Sequence, residues 1–181
     1  MNFFKRLLWL SPLVLIAELD HLVFSELAIT PSNAEYVKIT NPTDSDIDLS
    51  NYYLTDGTDI GNEEFYYQLP SGTDYWSGSS SDFICRFPSG YTISAGSFII
   101  VSLRDSSKYA SEFGENADLT LNDDMLDAVD GENTKGSSAA PKLGNANETL
   151  IIFYWDGSST TVKDVDYLLW GDNSYAIDKT G

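Results

Sequence analysis

The chain has 181 residues, enough for one domain around one hydrophobic core, and 42% of them are apolar, so packing alone can sustain a fold. Its 10 Lys and Arg stand against 28 Asp and Glu, and the formal charge of -18 excludes direct binding to a phosphate backbone and opposes contact with anionic lipid. Cys85 is the only cysteine and His21 the only histidine, which excludes an intramolecular disulfide and leaves one imidazole for any zinc site or Ser-His-Asp triad.

Residues 1–17 have the order of a secretory signal: Lys5 and Arg6 precede an apolar run, residues 7–17, broken only by Ser11 and Pro12. The run is short for a transmembrane span, so the expectation is export with cleavage after Ala17. The alternatives are an uncleaved anchor and a first strand that imitates a signal. A strand-like rhythm follows. Residues 23–29 put Val23, Ser25, Leu27 and Ile29 on one face, and residues 36–40 put Val37 and Ile39 on one face with Tyr36 and Lys38 on the other. Ile47 and Leu49 alternate with Asp46, Asp48 and Ser50, and Asn41-Pro42 and Asp56-Gly57 punctuate the strands as turns. Residues 58–82 break the rhythm as a long polar and aromatic insertion, of the kind that is functional or mobile. Residues 98–101 are a short apolar run that predicts a buried strand, and residues 106–113 suit one or two helical turns. A Gly, Ser and Ala loop spans residues 131–141. The runs 150–155 and 165–170 predict two more buried strands. A hairpin opens at Trp155-Asp156-Gly157, returns through Thr160-Thr161-Val162, and pairs 150–155 with 160–170. Short strands between turn signals predict a sandwich over residues 20–172. Residues 173–181 read as a tail, the start of a linker to a further module.

Four segments in order carry a family likeness. Glu35-Tyr36-Val37-Lys38-Ile39-Thr40-Asn41 and then Asp48-Leu49-Ser50-Asn51-Tyr52 resemble the opening strands of the lamin-tail domain. Phe87-Pro88-Ser89-Gly90-Tyr91-Thr92-Ile93-Ser94-Ala95-Gly96 is similar to its Phe-Pro-x-Gly element. Gly144-Asn145-Ala146-Asn147-Glu148-Thr149-Leu150, followed by Val165-Asp166-Tyr167-Leu168-Leu169-Trp170-Gly171, is similar to its final hairpin. The resemblance implies an all-β, immunoglobulin-like β-sandwich that serves as an interaction or tethering unit, in bacteria commonly on exported or surface proteins. It brings no catalytic residues. The chain departs from the pattern in its insertion at 58–82, in Ala95 where Pro is common and in Lys38 where an acid is common. No heptad pattern exists, so a filament role does not carry over.

Two places invite a ligand. In the insertion, Tyr66, Tyr67, Tyr75 and Trp76 offer flat faces with polar edges that suit proteins or sugars, unless the insertion folds back and buries its own rings. Asp123, Asp124, Asp127, Asp130 and Glu132 crowd a predicted loop where oxygen ligands would suit calcium in an irregular site; a solvated loop is the alternative. Asp44, Asp46 and Asp48 have the spacing of the first EF-hand ligands, but Leu49 and Thr55 stand where that loop needs Gly and Glu, so they read as a wet strand edge. Cys85 reads as a buried, inert thiol. No G-x-S-x-G, Walker, dinucleotide or H-E-x-x-H motif is present. The expectation is therefore a monomeric, noncatalytic module, secreted or at the cell surface, that binds a protein or a surface polymer and needs no cofactor beyond a calcium ion. A cation-dependent adhesion or carbohydrate-binding module is the alternative, with a hydrolase behind it.

Overall fold

The computed structural model describes residues 19–59 and 63–171. The expected signal, its cleavage point and the tail lie outside the described residues. In chain order the strands are β1 (Val23–Ala28), β2 (Tyr36–Thr40), β3 (Ile47–Asp48), β4 (Tyr52–Thr55), β5 (Thr58–Asp59), β6 (Glu64–Phe65), β7 (Ile84–Arg86), β8 (Thr92–Ile93), β9 (Phe98–Ser102), β10 (Leu119–Thr120), β11 (Leu126–Asp127), β12 (Glu148–Tyr154) and β13 (Lys163–Trp170). A 3-10 helix covers Tyr66–Ser71, and the helix α1 covers Ser106–Phe113.

Two sheets make the sandwich. One has the order β1-β2-β9-β10, and the other β11-β7-β4-β12-β13. Val37 and Ile39 of β2 and Ile99 and Val101 of β9 meet Leu54 of β4, Cys85 of β7 and Leu150 and Ile152 of β12 in one buried cluster. Fully burying a side chain of this kind stabilises the fold by about 2 kcal/mol, so the shared layer is what holds the sheets face to face. The architecture is the all-β sandwich that the strand pattern predicts, of the immunoglobulin-like kind that the family resemblance implies. The expected hairpin is present, with β12 antiparallel to β13 and Val165 left over as a bulge between Asp164 and Asp166. Asp156 shapes its loop by accepting from the backbone N–H of Ser158 at 2.9 Å and of Ser159 at 2.7 Å.

The middle of the second sheet is buried on both sides. The outward side chains Tyr53, Ile84, Ile151 and Phe153 form their own cluster with Tyr66, Leu69 and Tyr75 of the insertion. This explains the unbroken apolar run of β12: a strand covered on both faces has no wet position to alternate with. Among the described residues, the outer face of the first sheet has no such cover along its length.

Three strand expectations need correction. In β1 the register shifts between Phe24 and Glu26, so Phe24 and Leu27 pack on the core while Ser25 is exposed. In β9 the apolar run 98–101 is buried only at Ile99 and Val101; Phe98 is 51% exposed, because it points to the outer face of that sheet. β13 is an edge strand and mostly half-buried, so its apolar run does not mark a central strand. The helical turns expected at 106–113 are α1, capped by Asp105, which accepts from the Lys108 N–H at 3.1 Å, and stopped by Gly114 at φ 77°.

Candidate functional site

The insertion places its rings unequally. Tyr66 packs against Phe153 with ring centroids 5.3 Å apart and donates its hydroxyl to Asp164 at 2.8 Å. Burial is the main reason its hydroxyl is held well above the usual tyrosine range. Tyr75 is buried as well and donates its hydroxyl to Glu132. Trp76 packs against the same cluster. Tyr67 is 41% exposed and stacks on Phe65 at 5.1 Å. Thus Tyr66 and Tyr75 face inward, and Tyr67 is the ring of the four that presents a face to solvent.

Four of the five acids of the expected calcium loop are drawn to different partners. Asp124 accepts from the Thr120 N–H and hydroxyl, each at 2.8 Å, and Asp127 accepts from the Thr134 N–H at 3.1 Å. Asp130 meets Arg86 at 3.1 Å, Glu132 holds Tyr75, and Asp123 is exposed. Among the described residues no three His, Cys, Asp or Glu side chains gather as a group that would hold a metal ion. Asp46 and Asp48 of the strand-edge triplet bind backbone instead, Asp46 at Ala95 N (2.9 Å) and Asp48 at Ser50 N (2.8 Å). Cys85 is fully buried, donates to Leu54 O at 3.4 Å, and has its thiol pushed far up by burial. His21 lies at the surface with Nδ1 2.9 Å from Asp20.

A groove of about 420 Å³ opens on the outer face of the first sheet. Register sets its floor. Lys38 lies between Glu26 and Ile100, and Phe98 lies beside Thr40, so Lys38, Phe98 and Ile100 point away from the core. At one end α1 lays Tyr109 and Phe113, one helical turn apart, against Tyr36. The Tyr36 ring is 5.5 Å from Tyr109 and 5.1 Å from Phe113, both edge to face. Glu26, Glu115 and Asp118 line the rim. The Tyr36 hydroxyl donates to Glu26, and mainly for that reason its pKa is pushed up to about 12. Lys38 Nζ sits 3.8 Å from the centre of the Phe98 ring and 3.8 Å from Glu26. Phe98 and Phe113 stay 51% and 40% exposed, which is unusual for phenylalanine in a folded chain. The reading of the sequence missed this groove. Tyr36 on the wet face of a strand and the Tyr109–Phe113 pair at helical spacing were the available signals.

The lamin tail domain family model matches residues 17–168, most of the chain. This chain belongs to the lamin tail domain family. No curated protein matches it. The lamin tail domain is a noncatalytic, immunoglobulin-like module of the protein-interaction type. Here its signature residues are structural. Glu35 accepts from the Lys142 N–H at 2.7 Å, and Asn41 bonds three atoms of the β2–β3 turn and the Ile93 carbonyl of β8. Among the described residues of this lamin tail domain, no helix is long and apolar enough to cross a membrane.

Proposed function

We propose that this lamin tail domain is a noncatalytic, exported module that tethers a partner protein or a cell-surface polymer. The carrying observation is the aromatic groove on the outer face of the first sheet, an open apolar surface that a monomeric domain ordinarily covers. The order of residues 1–17 supports export, and the family supports interaction. The noncatalytic reading is supported by the chemistry of the two residues best suited to catalysis. Cys85 is sealed in the core with its thiol protonated, and His21 is at the surface beside an aspartate.

The test fuses a reporter enzyme to the C-terminus of the full chain and follows it in fractionated cells. The expected outcome is reporter held on the outside of the envelope, removed by protease added to intact cells and unaffected by EDTA. Reporter confined to the cytosol overturns export. Release into the medium overturns tethering, and release by EDTA favours cation-dependent adhesion.

A further inference from the structure

We propose that the groove receives a lysine or arginine side chain from a basic segment of a partner protein. The inference rests on the interaction reading and names the class of partner.

Three observations converge on a cation. The walls are aromatic: Tyr36, Tyr109 and Phe113 meet edge to face or tilted, and aromatic faces attract ammonium and guanidinium groups. The floor already holds a cation, because Lys38 places its ammonium 3.8 Å from the centre of the Phe98 ring. The rim carries Glu26, Glu115 and Asp118, against which Lys38 is the one positive lining residue among the described residues. An apolar side chain seated there would strip water from the carboxylates with nothing in exchange. A second copy of this chain brings a formal charge of -18 to a surface already acidic, and is repelled. A basic segment meets neither cost, is steered toward the chain by its net charge, and offers long side chains that cover aromatic surface while keeping the charge at the rim.

A fluorescent hexa-arginine peptide, titrated into the full chain by anisotropy at about 150 mM salt, tests this where bulk charge attraction is screened. The peptide binds, and Phe98→Ala and Phe113→Ala each weaken it about fivefold without any change of charge. Phe98 is exposed, so its replacement leaves the core intact, and an unchanged melting temperature verifies this. Lys38→Gln removes the resident cation and tightens binding about threefold. Lys163→Gln makes the same charge change on the other sheet and leaves binding within about a third of wild type. Equal binding by all variants shows that net charge alone attracts the peptide, and overturns the proposal. Absence of binding overturns it too, as does a neutral oligosaccharide that binds with the same dependence on Phe98 and Phe113 while the peptide does not. If the reporter fusion stays at the envelope through any of these failures, the assignment of the partner falls and the interaction reading stands. If wild-type fusion is released, the interaction reading itself falls.

Discussion

Asn41 shows how a family signature residue acts. It is buried, and its Nδ2 donates to Ser45 O at 2.8 Å and Ile93 O at 3.0 Å, while its Oδ1 accepts from the Thr43 N–H at 3.0 Å and hydroxyl at 2.8 Å. One side chain thereby ties the end of β2 to the loop after it and to β8. Glu35, at the other end of β2, does the same for residues 142 and 143. Replacing Asn41 by Ala strands the Ile93 carbonyl in the interior and removes the clamp on the turn, at a cost of about 3 kcal/mol. Urea unfolding checks this: the midpoint falls and the slope stays as in wild type. Asn41-Pro42 was legible as the turn that ends a strand, while Glu35 stood out only as part of the family resemblance. What Asn41 bonds to was hidden, because Ile93 lies far along the chain.

The insertion and β12 are two halves of one element-level problem. A strand reading Leu150-Ile151-Ile152-Phe153 has apolar side chains on both faces, and the sandwich core uses only one of them. The 3-10 helix at Tyr66–Ser71 covers the other through Tyr66 and Leu69. Tyr66→Ala opens a cavity over Phe153 and costs about 4 kcal/mol, whereas Tyr67→Ala, on an exposed ring, costs under about 1 kcal/mol. Thermal unfolding of the pair separates the roles, and equal losses would show that the insertion does not pack as described. The strands themselves were legible, since period two and turn residues are local signals. The β12–β13 hairpin was legible for the same reason. Less legible was which strands lie at an edge or under a cover. Phe98 and Leu169 were read as buried from their apolar neighbours, but sheet order decides exposure, and strand pairing between distant segments sets sheet order. The groove escaped for that reason: Tyr36, Phe98 and Phe113 are scattered in sequence, and only the register of β2 with β9 and the docking of α1 bring them together.

At the scale of the whole molecule, acidity and burial combine into a prediction about pH. Burial is the largest cause that raises the carboxyl pKa values of Glu35, Asp56 and Glu148, and for Asp56 the nearby charges of Asp82 and Glu148 add to it. A carboxyl raised in the folded state stabilises fully below its unfolded pKa, about 4, and that contribution is lost as pH rises through the folded value. Asp48, Asp105 and Asp156 are shifted the other way by hydrogen bonds from Ser50, Ser107 and Ser159. Their contribution is present above about pH 4 and lost as pH falls through their lowered values. Lys142 opposes the first group, since burial lowers its pKa and its share of stability grows as pH climbs toward about 10. With a formal charge of -18, self-repulsion also eases on acidification, so the carboxyls prevail across the neutral range. The melting temperature therefore rises from about pH 8 to about pH 5 and falls below about pH 4. Asp56→Asn isolates the main source. It keeps an oxygen to accept from the Phe83 N–H, now at 3.0 Å, but carries no charge into the interior. Its melting curve lies above wild type at pH 8 and converges with it at about pH 4, so the neutral-range slope flattens. A slope unchanged in Asp56→Asn would place the pH dependence in net charge and not in the buried carboxyls.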